Sequence, residues 1–275
     1  MPAKAQSFKQ VSLVAPLPLP PGYTPGAARS QSVVLRLLQI TMTKPTSPPI
    51  INGIPVPYTA TYDELCENLK TPGPLAWASC IALSHQGTSV SLSKLIELSQ
   101  SPDWRFRRSA IEAMAYHPQA GIAVETIGKA LSDPSQYVIR VACETVAKLK
   151  LDALHEDVSK LLKSANADIR QEAVRTLSEI WRMGDFDRVY NLFVLDKIQK
   201  VRNAASWTLR AHATEDNWLK LFRVWQQDSF IRHRKWACEL ATIFGANRVK
   251  EELENLASDK DGHVRKAAIK ALGLS

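Results

Sequence analysis

The side chains that could do acid–base or metal chemistry do not have the spacing that such chemistry needs. A zinc site or an activated cysteine requires ligands or a base at defined positions, but the four cysteines are far apart and form no Cys-x-x-Cys pair. We interpret the six histidines as surface or turn residues rather than ligands. The sequence also contains no glycine-rich phosphate loop, His-Glu-x-x-His or Gly-x-Ser-x-Gly motif. We therefore predict a non-enzymatic protein without catalytic residues, metal or cofactor.

Arginine, by contrast, recurs at a regular spacing. Six similar segments each contain one, at steps of 30 to 33 residues. A small residue follows each arginine by three positions, and apolar or small residues follow by six and seven, which is the spacing of one helical face. An acidic residue or asparagine precedes it by four to seven positions and suits the turn and N-cap of that helix. The arginines are Arg107, Arg140, Arg170, Arg202, Arg234 and Arg265, and the preceding residues are Asp103, Asp133, Asn166, Asp196, Asp228 and Asp261.

Second helices lie between the arginine-containing ones. Amphipathic stretches occupy residues 122–131, 154–162, 189–195, 218–225 and 249–256. We name these A helices and the arginine-containing helices B helices, so that each unit is an antiparallel pair, A then B. An earlier unit, with helices at 62–69 and 75–83, has Ala76 at the arginine position. The pattern predicts an all-α, right-handed α-solenoid of six to seven helical hairpins over residues 61–275.

This pattern of D-x-x-x-V-R-x-x-A-x-x-A-L over residues 61–275 resembles the HEAT repeat family, in particular the short HEAT-like repeats of bacterial phycobilin lyases. The resemblance implies that the six arginines form a ladder inside the solenoid, in which arginine and aspartate side chains join neighbouring repeats. Ala76 and His233 depart from the pattern, which makes the packing there less certain. The resemblance does not select one function, because the same repeat serves scaffolds, adaptors, chaperone-like lyases and DNA-repair proteins.

Residues 1–60 differ in composition from the repeats. Eleven of the 16 prolines lie within residues 1–58, and proline at this density removes backbone donors and favours extended backbone. We predict a mostly non-helical N-terminal extension. Residues 32–43 and the Asn52-Gly53 turn signal allow a short strand or hairpin, and residues 15–21 allow a polyproline segment that binds a partner.

The uncharged runs and the unpaired cysteines indicate the compartment in which the protein is found. The runs at residues 10–28, 45–62 and 71–93 are too interrupted by proline, or too weakly apolar, to span a membrane. Unpaired cysteines suit a reducing compartment. We therefore predict a cytoplasmic protein that does not bind membranes.

The net charge of +8 is distributed unevenly over the repeats. Basic residues outnumber acidic ones in the B helices, whereas the A helices and their turns are mildly acidic. Since B helices line the concave surface of such a solenoid, we expect a basic groove that suits an anionic partner. Six of its positive charges are the ladder arginines. The candidate partner-binding residues are Arg105, Arg108, Arg175, Arg210, Arg232, Lys235 and Trp236.

Three functions remain open. The first is a non-enzymatic scaffold or adaptor that binds a protein with an acidic surface along the groove. The second is nucleic-acid binding, resembling the HEAT-like alkylpurine DNA glycosylases, with Asp228 near Trp225 as the nearest match to a catalytic aspartate; the Trp-Asp-x-x-Asp type signature of those enzymes is missing. The third, a chromophore-lyase-like chaperone, depends on the similarity of the repeats alone.

Overall fold

The computed structural model describes residues 50, 51 and 53–274, and the predictions for residues 15–21 and 32–43 lie outside them. The described chain begins with a β-hairpin in which β1, Ile50–Ile51, pairs antiparallel with β2, Ile54–Pro55. Gly53 has a φ of +80° at the turn, a conformation that glycine adopts readily. Among the described residues, no helix combines the length and apolar character needed to cross a membrane.

Fourteen α-helices follow, arranged as seven consecutive hairpins of an A helix and a B helix. The A helices are α1 (Tyr62–Glu67), α3 (Ser89–Leu98), α5 (Val124–Ala130), α7 (His155–Leu161), α9 (Asp185–Leu195), α11 (Trp218–Trp225) and α13 (Lys250–Leu256). The B helices are α2 (Pro74–Gln86), α4 (Trp104–Met114), α6 (Gln136–Leu149), α8 (Ala167–Glu179), α10 (Gln199–Ala211), α12 (Ile231–Phe244) and α14 (Gly262–Ala271). The predicted all-α solenoid is confirmed, and so is the unit that precedes the first ladder arginine.

One helix was not predicted. Helix α3 provides the A helix of the second hairpin, and its sequence alternates serine with apolar residues instead of showing a continuous apolar face. Thr88 and Ser91 form a capping box at its start, and Leu92 and Leu95 lie in the core. Caps and a few leucines are sufficient here because the neighbouring helices bury the rest of the face.

Each B helix packs on the A helix of its own hairpin, and most B helices also pack closely on the next B helix. The small residue three positions after each ladder arginine makes this approach possible, since all six are completely buried: Ala110, Cys143, Ala173, Ala205, Ala237 and Ala268. The backbones of α10 and α12 stay farther apart. Trp207 and Trp236 contact each other across this junction, with ring centroids 4.5 Å apart.

Three ladder arginines join neighbouring hairpins through a bidentate ion pair, which we call a rung. In each rung the arginine Nε donates to an aspartate Oδ2 at 2.7 Å, and Nη2 donates to the other carboxylate oxygen at 2.8 to 3.0 Å. The aspartate lies 25 or 26 residues later, at the turn before the next B helix. The pairs are Arg107 with Asp133, Arg170 with Asp196, and Arg234 with Asp259.

Among the described residues, the other three ladder arginines form no ion pair with an aspartate carboxylate. Arg140 is exposed, and the residues 25 and 26 positions after it are Ala165 and Asn166, neither of which carries a carboxylate. Arg202 donates to the Asp196 carbonyl and the Gln199 side chain. The resemblance implied a rung at every arginine, whereas the structure places rungs after the second, fourth and sixth hairpins.

Five of the six residues predicted to precede the arginines have one of two structural roles, and the sixth, Asp228, contacts His233 instead. Asp103, Asn166 and Asp261 are N-caps of their B helices. Rung aspartates stand earlier, six or seven positions before the next ladder arginine, and the third of them, Asp259, was not among the predicted residues. The spacing alone therefore mixed helix caps with rung acceptors.

A rung should contribute measurably to stability. We expect Arg170→Gln to lower the free energy of unfolding by about 2 kcal/mol, because it leaves the buried Asp196 carboxylate without its charged donor. Arg140→Gln is the matched control and should change it by less than about 0.5 kcal/mol. Urea unfolding of both variants measures the difference, and equal losses would contradict the role of the rung.

The rungs should also make stability depend on acid pH. Hydrogen bonds from Arg170 and Arg234 hold the pKa values of Asp196 and Asp259 below the ordinary value of 3.8. Their contribution is therefore complete above pH 3.8 and is lost as the pH falls through the lowered pKa values. Asp196→Asn should flatten this part of the curve of unfolding free energy against pH. An unchanged slope in the variant would show that other groups cause the loss.

Candidate functional site

The predicted partner-binding residues all lie on B helices, on the side that we call the B-helix face. In its N-terminal half the arginines are paired locally. Arg105 donates to Asp103 at the start of its own helix, with 2.6 Å between Nη2 and Oδ2. Arg108 lies 3.4 Å from Glu112, and Arg175 lies 3.5 Å from Glu172. These arginines are therefore partly neutralised by their own helices.

Three glutamates that the sequence analysis missed add further negative charge to this half of the face. Glu112, Glu144 and Glu172 lie on consecutive B helices, α4, α6 and α8. Desolvation, followed by the charge of Glu172, raises the pKa of Glu144, and desolvation also raises that of Glu172. The recurrence of glutamate on three successive B helices was the available sequence signal. This half of the face is balanced rather than basic.

A lysine and aromatic cluster lies beside these glutamates. The Lys148 Nζ lies 3.0 Å from the centroid of the Tyr116 ring, and desolvation lowers the pKa of Lys148 to about 8. His85 lies between Tyr58 and Tyr116, with ring centroids 4.7 and 6.3 Å away. The lysine charge is thus held against a ring face and adds little to a basic groove.

In the C-terminal half of the B-helix face, several of the predicted partner-binding residues contact other side chains of this chain. Trp236 is only 5% exposed, with the Arg210 and Arg232 guanidinium groups 5.2 and 5.9 Å from its ring centroid. Arg232 also donates to Asn203. Arg210 donates to Glu239 at 2.9 Å. Trp236 therefore belongs to the core rather than to a surface that a partner could contact.

The most basic part of the B-helix face is an open cleft of about 570 Å³ at its C-terminal end. Four cationic side chains surround it, against the single carboxylate of Glu239, and its floor is aliphatic, with Ile243 43% exposed. Only two of these cations, Arg210 and Lys235, were predicted. The cleft is lined by Arg210, Lys235, Glu239, Thr242, Ile243, His263, Lys266, Ala267 and Lys270. We name it the C-terminal cleft, and it is the candidate functional site.

Sequence reasoning could have found the other two cations. Lys266 and Lys270 stand four positions apart on α14 and thus on one helical face. Both are exposed, and neither has a carboxylate partner among the described residues. Their charge is therefore available to a partner, in contrast to that of Arg210.

His155 and His233 lie in helices and differ from the surface or turn positions we predicted, whereas His117 does lie between two helices but is buried. His117, His155 and His233 are each at most 3% exposed. His155 Nε2 lies 2.7 Å from Asp185 Oδ2 and joins α7 to α9. His233 Nδ1 lies 2.9 Å from Asp228 Oδ2. A buried histidine needs a polar partner, and each of these two finds one in a carboxylate.

Asp228, the nearest match to the catalytic aspartate of the glycosylases, contacts other residues of this chain in the structure. Asp228 accepts a hydrogen bond from the Phe230 backbone N–H at 2.8 Å and contacts the His233 ring. Trp225, the nearby tryptophan, is fully buried and stacks on His233 with a centroid distance of 5.7 Å. Asp228 and Trp225 therefore hold α11 and α12 together.

The glutamates of the N-terminal half should reduce stability at neutral pH. Because the pKa of Glu172 is raised in the folded state, its charged form is disfavoured there, and the cost disappears as the pH falls through this pKa. We expect Glu172→Gln to raise the free energy of unfolding at pH 7 by up to about 1 kcal/mol. Glu179→Gln on the same helix, where Glu179 is exposed, is the control. A loss of stability in Glu172→Gln would show that its contact with Arg175 dominates.

No family model matches this chain, and no curated protein matches it. Several solved structures match this chain. YibA of Escherichia coli matches over 79% of this chain and 94% of its own, with 16% identity and a TM-score of 0.57. Kap95p bound to RanGDP matches over 77% of this chain and 34% of its own, with 14% identity and a TM-score of 0.53.

The CpcE and CpcF complex of phycocyanin lyase from Nostoc matches over 84% of this chain and 92% of its own, at 17% identity. The TM-score of this match is 0.47. At these identities the comparisons concern the fold alone. Together with the seven hairpins, they show that the described chain is a solenoid of HEAT/armadillo type, as the resemblance of its repeats indicated.

Proposed function

We propose that this protein is a non-enzymatic scaffold or adaptor that binds an acidic surface of a partner protein in the C-terminal cleft. The observation that carries the proposal is the cleft's composition, four cationic side chains against one carboxylate around an aliphatic floor. Complementary charge of this kind steers a partner and selects against wrong ones. The site is narrower than the whole groove that the sequence predicted, because the N-terminal half is internally neutralised.

The aliphatic floor favours protein over nucleic acid. Ile243, Ala267 and Thr242 offer apolar contacts between the cations, as the centre of a protein interface does. Single-stranded nucleic acid is bound on exposed aromatic rings, but Trp236, the tryptophan next to the cleft, is buried. An acidic helix with apolar side chains on one face fits this arrangement.

The fold and the cysteines are consistent with this role. Kap95p, which shares the fold, is solved in complexes with RanGDP and with Nup1. The cysteines of this chain are all free, which suits the reducing cytoplasm in which we place the protein. No observation favours the chromophore-lyase alternative.

Charge reversal in the cleft tests the proposal. We compare the wild-type chain with Lys266→Glu/Lys270→Glu as baits in a native-host lysate, with nuclease added, and quantify the captured proteins by mass spectrometry. Acidic partners should fall at least tenfold with the cleft variant, because attraction becomes repulsion. The matched control is Lys250→Glu/Lys260→Glu in the same hairpin, outside the cleft, and it should retain them.

Two results would contradict the proposal. Equal capture by the wild type and the cleft variant would place binding elsewhere. Loss of all captured proteins relative to a parallel lysate without nuclease, together with binding of duplex DNA in fluorescence anisotropy at physiological salt, would favour the nucleic-acid alternative.

A further inference from the structure

An open groove of about 810 Å³ lies between α7 and α9, the A helices of the fourth and fifth hairpins. These two helices stay farther apart than α8 and α10, the B helices of the same hairpins. The groove is lined by residues of both A helices and of the turns that follow them, and it shares no lining residue with the C-terminal cleft. We name it the A-helix groove. It is a second recessed surface, on the other set of helices.

The most exposed apolar side chains of the A-helix groove are Leu195 and Ile198, which are 73% and 42% exposed. Leucine is unusual at its position in the repeat. The residue three positions before the N-cap of the B helix is polar in every other hairpin from the second to the seventh. These polar residues are Gln100, Ser132, Lys163, Gln227 and Ser258. The repeat itself therefore does not require an apolar residue at position 195.

Ile198 occupies the N-cap of α10, where an isoleucine does not stabilise the helix. Aspartate, asparagine and serine are favoured at an N-cap because their side-chain oxygen accepts a free backbone N–H, and these types occupy it in α4, α6, α8 and α14. Phe230 is the N-cap of α12, but its ring contacts that of His233 at a centroid distance of 5.6 Å. Ile198 is exposed instead, which indicates a contact with another molecule.

Positive charge exceeds negative charge around these apolar side chains. Five cationic side chains and two carboxylates line the groove. Of the carboxylates, Asp196 is held in a rung, and Glu156 lies 3.6 Å from Arg188. Lys163 and Lys197 are exposed, and neither forms an ion pair within the part of the chain that the structure describes. The charge of these two lysines is therefore available to a ligand.

We propose that the A-helix groove binds an acidic segment of a partner protein, with aliphatic side chains on Leu195 and Ile198 and carboxylates paired with Lys163 and Lys197. The unpaired lysines select the occupant, because complementary charge attracts an acidic segment and repels a basic one. This second interaction surface does not depend on the proposed function of the C-terminal cleft.

The lining of the groove favours protein over nucleic acid. The described residues that line it include no aromatic ring on which a base stacks. Its exposed aliphatic side chains lie beside the cations, and an interface with a protein combines apolar contacts and charged groups in this way. A peptide segment with alternating leucine and glutamate offers both kinds of contact.

Methyl NMR of the full chain, labelled at leucine and isoleucine methyl groups, tests the proposal. The Leu195 resonances are assigned from their absence in Leu195→Ala. The probe is a synthetic peptide of alternating leucine and glutamate, and the matched control peptide has lysine in place of glutamate. We expect the acidic peptide to shift the Leu195 resonances saturably, and the basic peptide to have a dissociation constant at least tenfold higher. The Ile243 resonance reports the C-terminal cleft separately in the same titration.

Charge reversal in the groove should weaken the acidic peptide. Lys163→Glu/Lys197→Glu should raise its dissociation constant, measured at Leu195, at least tenfold, because attraction becomes repulsion. The matched control, Lys250→Glu/Lys260→Glu, makes the same change of charge in the seventh hairpin, outside the groove. It should leave the dissociation constant within twofold of the wild type.

Ile198→Ser separates binding from folding. Serine supplies the N-cap oxygen that isoleucine lacks, so the urea midpoint of unfolding should stay the same or rise. The dissociation constant of the acidic peptide should rise at least threefold, because an apolar contact is lost. A lower midpoint together with unchanged binding would show that Ile198 serves the fold alone.

Further results would overturn the proposal. Equal dissociation constants for the acidic and basic peptides, or no saturable shift of the Leu195 resonances with the acidic peptide, would show that the groove does not select an acidic segment. A shift with single-stranded or duplex DNA at physiological salt, but not with the peptide, would assign the groove to nucleic acid. Self-association of the wild-type chain that disappears in Leu195→Ala would assign it to a second copy.

Discussion

The bidentate rung between a ladder arginine and an aspartate of the next hairpin fixes three of the six junctions between hairpins. It links the start of one B helix to the start of the next, with both side chains largely shielded from water. The arginine is oriented by carbonyls of its own turn, and the aspartate by an N–H of the following turn. The rung thereby fixes the distance between two turns, and the B helices that begin at these turns are positioned with them.

Where a rung is missing, other chemistry connects the hairpins. Between the fifth and sixth hairpins Asp228 bonds to His233 instead of Arg202, and tryptophan rings separate α10 from α12. A rung and an aromatic cluster are thus two different ways of joining neighbouring hairpins. The tryptophan rings hold the backbones of α10 and α12 farther apart than those of the other neighbouring B helices, including α6 and α8, which also lack a rung.

The regular arrangement of the B helices also determines which charged side chains remain available to a partner. B helices present equivalent positions on one face, so a carboxylate on one helix neutralises an arginine nearby, as Glu112 and Glu172 do. Toward the C-terminal end fewer carboxylates occur, and Lys266 and Lys270 keep their charge. The proposed binding surface is therefore a local excess of positive charge at one end of the B-helix face instead of a property of the net charge of +8.

The sequence by itself determined the repeat, the order of A and B helices and the burial of the six small residues, because helical periodicity and spacing are properties of the chain alone. It missed α3, whose few apolar residues are buried by its neighbours, and only two cations of the C-terminal cleft were found. Only the tertiary structure decided which arginines meet a carboxylate, that Trp236 is buried, and which charges are cancelled. Each of these outcomes depends on distances of a few ångströms between side chains that lie about 30 residues apart in the sequence. The spacing of residues along the chain does not specify those distances.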